Sequence, residues 1–273
     1  MLKRSIPSTG ELLPVMGCGT WQTFDVGASA AERRPLISVL QTLLDEGGAV
    51  IDSSPMYGRA EEVAGDLVSE LKAGDRTFIA TKVWTQGKDE GVAQMLRSIQ
   101  RMKADPIDLI QIHNLVDWRT HLKTLRDWKA SGRVRYLGIT HYTASAHADL
   151  EAVMRSEPID FVQVNYAMDD RAAEQSLLPL AVERGIATLI NRPLGQGELI
   201  RRLSRTPLPD FASEIGCKDW AQLALKYLIA NEAVTCVIPA TRNPEHMKSN
   251  ASAGSGRLPD AAMRKRMLAS AGI

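Results

Sequence analysis

The chain has 273 residues, with 33 Lys and Arg against 32 Asp and Glu, a formal net charge of +1, and 44% hydrophobic residues. That balance excludes a disordered chain and argues against a nucleic-acid-binding face, which needs a basic surplus. No run of about 18 apolar residues is present to span a membrane. The basic N-terminus, MLKRSIPSTGELLP, lacks the apolar stretch of a signal peptide. Cys18, Cys217 and Cys236 are odd in number and far apart, which points to a reducing compartment, the cytoplasm.

In chain order, KRSI, the turn-like PSTGE and then LLPV predict a small N-terminal β-hairpin. Short apolar runs follow: PVMG (14–17), AVID (49–52), TFIATKV (77–83), IDLIQIH (107–113), VRYLGIT (134–140), DFVQVN (160–165), IATLIN (186–191) and TCVIP (235–239). Between them lie segments with helical periodicity, such as 35–47, 60–74 and 174–186, several ending at Gly. Continuous apolar strands alternating with amphipathic helices imply a parallel sheet covered by helices. Eight such units in about 250 residues fit a closed α/β (β/α)8 TIM barrel. No Pro- or Gly-rich linker divides the chain, so residues 1–273 read as one domain. The last interval is longer than the others, and 195–219 reads as an insertion between the seventh strand and its helix. An open doubly wound sheet is the alternative, but the G-x-G-x-x-G turn it would usually carry is missing.

Functional groups of such a barrel sit at the carboxyl ends of its strands. Those ends carry Trp21, Asp52, Lys82, His113, Thr140 with His141, Gln163 with Asn165, Asn191 with Arg192, and Thr241. Asp52, Lys82 and His113 close three consecutive strands, which can bring them within about 10 Å. Tyr57, five residues after Asp52, can swing over the same point. A phenol has a pKa near about 10, and the Lys82 ammonium is expected to lower it, with Asp52 holding Lys82 charged. Such a set protonates an oxygen while something else delivers a nucleophile or hydride. Each member alone has an ordinary reading, an ion pair, a rim histidine or a turn tyrosine; their coincidence points to catalysis.

In these contexts, MGCGTW (16–21), VIDSSPMYG (50–58), ATKVW (80–84), IDLIQIHN (107–114), GRVRYLGIT (132–140), FVQVNY (161–166) and VIPATRNPEHMKSN (237–250), the chain resembles the aldo-keto reductase superfamily of bacterial type. The resemblance implies NADPH-dependent reduction of small aldehydes or ketones. Tyr57 would be the general acid, Lys82 and Asp52 its tuning pair, and His113 the group that orients the carbonyl. For the cofactor it implies Gln163 at the nicotinamide amide and Thr140 and His141 where many members have Ser-Asn. Asn191, Arg192, Pro193, Leu194 and Gly195 replace a run that usually begins with a stacking Tyr. At the adenosine end it implies Thr241, Arg242, His246 and Asn250. Ala240 and His246 stand where Lys and Arg commonly hold the 2′-phosphate, which leaves NAD open, with Arg242, or else Lys248, as the substitute.

Trp21, Phe24, Met56, Trp84 and Trp118 fall at or just beyond strand ends and are read as walls of a pocket for a small, mostly apolar carbonyl. The His and Cys residues show no metal-ligand spacing, so no metal is expected. The expected assembly is a monomer or weak homo-oligomer. Two other readings stay open: a cofactor-binding sensor or regulatory subunit with little turnover, and an NAD-dependent sugar or alcohol dehydrogenase.

Overall fold

The computed structural model describes residues 1–273. Strands β1 (Lys3–Ser5) and β2 (Leu12–Pro14) pair antiparallel, Lys3 opposite Pro14, with Gly10 at φ +78° in the connecting turn. Eight parallel strands follow: β3 (Gly17–Gly19), β4 (Val50–Asp52), β5 (Phe78–Val83), β6 (Ile107–His113), β7 (Val134–His141), β8 (Phe161–Asn165), β9 (Ala187–Asn191) and β10 (Cys236–Val237). Each pairs with the next in chain order. The ring closes through a parallel bridge between Met16 and Val237, where the Val237 N–H donates to the Val15 carbonyl at 3.0 Å. The fold is therefore the expected α/β barrel with an N-terminal hairpin.

The two shortest barrel strands differ from expectation for local reasons. The run 14–17 is divided: Pro14 ends the hairpin, and β3 begins at Gly17, where a Cβ would lie only 2.7 Å from the Val50 side chain and carbonyl. The eighth run shrinks to two residues before Pro239, which has no N–H to give a ladder.

The helices are α1 (Ala30–Asp45), α2 (Ala60–Glu70), α3 (Lys88–Met102), α4 (Trp118–Ala130), α5 (His147–Ser156), α6 (Leu177–Arg184), α7 (Glu198–Leu203), α8 (Trp220–Ile229), α9 (Pro244–Ser252) and α10 (Ala261–Ser270). None is long and apolar enough to cross a membrane. Helix α1 starts five residues before the expected Pro35, because Ser29 accepts from the Glu32 N–H and bonds the Glu32 carboxylate at 2.6 Å. That reciprocal cap nucleates the turn ahead of the proline. The insertion 195–219 supplies α7 and two short 3₁₀ turns, and buries Leu199, Leu203, Phe211, Ala212 and Ile215.

Two apolar cores result. The larger lies between strands and helices. The smaller fills the lower barrel, where the rings of Phe78, Tyr136 and Phe161 stand 5.6–5.8 Å apart above the hairpin's Ile6 and Leu13.

Candidate active site

Side chains alternate in and out along a strand, so the inward set continues upward at every second residue. Above Phe78 and Ala80 on β5 comes Lys82; above Leu109 on β6 come Gln111 and His113; above Phe161 on β8 come Gln163 and Asn165. The barrel interior is thus apolar below and polar at the carboxyl ends. In register, Lys82 sits beside Gln111, His113 beside Thr140, Thr140 beside Gln163, and Asn165 beside Asn191.

The centre of the polar layer is a buried ion pair. Lys82 Nζ donates to both Asp52 oxygens at 2.9 and 2.8 Å and to the Ser53 carbonyl at 2.7 Å. Asp52 also accepts from Gln111 Nε2 at 3.3 Å and Gln163 Nε2 at 3.0 Å, so both charges are fully bonded. Burial works against the Lys82 ammonium, but Asp52, aided by Tyr57, outweighs it and holds the pKa above its usual value.

Tyr57 lies over this pair, with its ring centroid 5.3 Å from Lys82 Nζ and edge-on to His113 at 6.0 Å. Here the expected electrostatics are corrected. Burial pushes the phenol above its ordinary pKa; Lys82 pulls it back only in part, and Asp52 opposes even that. The phenol keeps its proton at neutral pH. His113 is driven the other way, down to about 3, by burial, then by the Lys82 charge and His141. It is a neutral imidazole, with Nδ1 3.1 Å from Ser54 Oγ. Ser53, Ser54 and Gln111 are parts of this cluster that the sequence reading did not single out. The available signal was Gln111, a polar residue at an inward position of an apolar strand.

Of the remaining expected residues, Thr140 is buried at the end of β7 and Gln163 is committed to Asp52 through Nε2. His141 turns its Nδ1 to Thr143, accepting from the N–H at 3.2 Å, and stacks on Tyr142. Asn191 is half-buried and Pro193 buried; Arg192, at φ +47°, and Gly195, at φ +57°, lie in the left-handed region. The Arg192 guanidinium stands over Trp21 at 5.6 Å and Tyr142 at 5.0 Å, bridging the loops after β3 and β7. Thr241 and Asn243 cap α9, with Pro244 at its first turn. Arg242 donates to the Thr23 and Gln22 carbonyls at 2.9 and 2.8 Å, which brings the start of α9 against the Trp21 loop. His246 is exposed on α9 and Asn250 is buried one turn on.

The pocket walls divide. Trp84 is exposed with its ring 6.4 Å from His113; Met56 is exposed beside Tyr57, and Trp21 is half-buried under Arg192. Phe24 does not line the site. Its N–H bonds the Thr20 carbonyl at 3.0 Å, the chain turns back, and the ring is fully buried in the core. Trp118 opens α4, packs against that core and carries the Arg119 guanidinium at 4.3 Å, with no ring contact to His113 or Tyr57.

Three acceptors in the polar layer have no partner: Gln111 Oε1 on β6, and Gln163 Oε1 and Asn165 Oδ1 at the end of β8. Such atoms are costly unless a donor meets them.

The family model described as the aldo/keto reductase family matches residues 15–266. The chain is 26% identical over 215 residues to the aldo-keto reductase YhdN of Bacillus subtilis, covering 73% of this chain and 64% of that protein. It is 25% identical over 260 residues to the methylglyoxal reductase YeaE of Escherichia coli, covering 92% of this chain and 89% of the relative. In fold it is similar to an aldo-keto reductase from Klebsiella pneumoniae solved in complex with NADPH. That match has a TM-score of 0.81 at 24% identity and covers 98% of this chain and 94% of the other.

Proposed function

The chain belongs to the aldo/keto reductase family, and on that premise we propose that it reduces small aldehydes or ketones with NADPH, Tyr57 giving the proton. The observation that carries this reading is the stack of a neutral phenol over a fully bonded Lys82–Asp52 pair, edge-on to a neutral His113. The relative named as a methylglyoxal reductase supports a small carbonyl as substrate.

The residues present fit a nicotinamide. Gln163 Oε1 and Asn165 Oδ1 are unpartnered acceptors, and a carboxamide NH2 is the donor they lack. Thr140 stands in register with Gln163. Arg192, which has no carboxylate partner, suits the diphosphate, and Arg242 the 2′-phosphate. When bound, the reduced nicotinamide supplies the hydride.

The chain's own residues then have separate tasks. His113 and Tyr57 bond the carbonyl oxygen and aim it. As negative charge develops on that oxygen, Tyr57 transfers its phenolic proton. Lys82 stabilises the phenolate left behind, and Asp52 keeps Lys82 charged and fixed. Trp84, Met56 and Trp21 shield the site and receive an apolar substituent.

The test follows absorbance of NADPH, and separately NADH, with a panel of small aldehydes for the wild type and Tyr57→Phe. The variant is expected to lose about 10²–10⁴-fold in kcat while its affinity for NADPH is kept. A wild type no faster than the variant on any carbonyl would overturn the reading.

A further inference from the structure

The dipeptide after Asp52 touches Lys82, Tyr57 and His113 in turn. The Ser53 carbonyl accepts from Lys82, and the Ser54 carbonyl accepts from the Tyr57 N–H at 3.0 Å. The Ser54 hydroxyl meets His113 Nδ1 at 3.1 Å. We propose that Ser54 is a positioning residue that fixes His113 as the Nε2–H tautomer, so that the imidazole donates to the reacting oxygen. This rests on the reduction reading above and adds to it a residue outside the four.

A neutral imidazole has one N–H and one acceptor nitrogen, and its partner decides which is which. Ser54 is fully buried, and its oxygen already accepts from the Met56 N–H at 3.4 Å. Suppose His113 Nδ1 carried the proton. It would donate to Ser54 Oγ, and the hydroxyl proton would then face no acceptor, since Nδ1 is the only one within bonding distance. A buried donor without a partner is disfavoured. With the proton on Nε2, the Ser54 hydroxyl donates to Nδ1 while accepting from Met56, so both Ser54 Oγ and Nδ1 are satisfied. Nε2 is bonded to no protein group, so its N–H is free for a carbonyl oxygen.

The choice matters because His113 cannot escape it by becoming cationic. Burial, Lys82 and His141 hold it neutral across the working range. An Nδ1–H tautomer would present a lone pair to the carbonyl oxygen, and two lone pairs repel. The serine therefore selects between a productive and an unproductive form of the same ring.

The experiment uses the full chain labelled with [¹⁵N]histidine, in the wild type, Ser54→Ala and Ser54→Thr, with His113→Asn to assign the signal. One- and two-bond ¹⁵N–¹H correlations report the tautomer without any turnover. The wild type and Ser54→Thr are expected to show Nε2–H alone, and Ser54→Ala a mixture. In parallel, kcat for a small aldehyde should fall about tenfold in Ser54→Ala, recover in Ser54→Thr, and leave NADPH affinity unchanged. An Nδ1–H tautomer in the wild type, or a Ser54→Ala protein with wild-type spectrum and kcat, would overturn the assignment. A wild type that shows Nε2–H but reduces no carbonyl would uphold the role of Ser54 on the ring and remove the reduction reading.

Discussion

Gln94 on α3 holds the main chain of Trp84 by both ends of its amide. Its Oε1 accepts from the Trp84 N–H at 2.6 Å, and its Nε2 donates to the Trp84 carbonyl at 3.1 Å. His121 Nε2 bonds the next carbonyl, Thr85, at 2.7 Å, and Asp117 accepts from the Gly87 N–H at 2.8 Å. The main chain that carries an exposed indole beside His113 is thereby held by groups outside the site. Gln94→Ala is expected to raise KM for an aromatic aldehyde about threefold to tenfold, with kcat little changed. Steady-state kinetics check this; a fall in kcat at constant KM would move Gln94 from the pocket wall to the chemistry.

Removing Lys82 would strand the Asp52 carboxylate, which is only 3% exposed. Lys82→Met is expected to cost about 3–5 kcal/mol of stability, as for other broken buried pairs. The double change Asp52→Asn with Lys82→Met should restore much of it, because one of Gln111 and Gln163 can still donate to the amide oxygen and the other, its amide turned over, can accept from the amide NH2. Urea denaturation of the three proteins measures both statements.

The pH dependence follows from the two opposite shifts. His113 is depressed from 6.5 to about 3 in the folded protein. Below 6.5 the unfolded chain therefore takes up a proton that the folded one refuses. This contribution to stability is present above pH 6.5 and is lost as pH falls towards 3, by up to about 1.4 kcal/mol per pH unit. Urea midpoints between pH 7.5 and 5, compared with His113→Asn, should show a shallower slope in the variant. Tyr57, raised by burial, stays protonated. The kcat profile is thus expected to be flat from about pH 6 to 9 with respect to both groups.

How much of this was legible from the residues alone differs by position. Asp52, Lys82 and His113 each end an apolar run, so strand parity and order are enough to bring them together. Ser54 carried no such signal. Its partner lies 59 positions away, and a serine after an aspartate looks like any loop residue until β6 is beside it. Phe24 misled because an aromatic just past a strand end can turn either way, and a hydrogen bond back to Thr20 turned it inward. The direction of the Tyr57 shift was missed for a related reason. Sequence shows which charges are near, whereas burial, the larger influence here, exists only once the barrel has closed.

Arg242 lends itself to a sharper test. Its Nε and Nη2 are occupied by the Thr23 and Gln22 carbonyls, so the guanidinium is fixed in place with Nη1 uncommitted. Arg242→Ala is expected to weaken NADPH about tenfold to a hundredfold and NADH far less. Equal losses for both cofactors, measured by fluorescence titration, would assign Arg242 to loop support alone.

The closing edge of the barrel has its own consequence. Strand β10 has two residues, and the ladder joining it to β3 is a single bridge with the Gly19 N–H reaching Pro239 at 3.3 Å. Each end of that joint is latched by an arginine from across it. Arg242 grips residues 22 and 23 at the top, and Arg4 donates to the carbonyls of Ile229, Asn231 and Val234 at the bottom. The ring is mechanically a rolled sheet with a clasp at either end. Loosening the upper clasp alone would part the wall where the Trp21 loop meets α9 and leave the lower barrel wound.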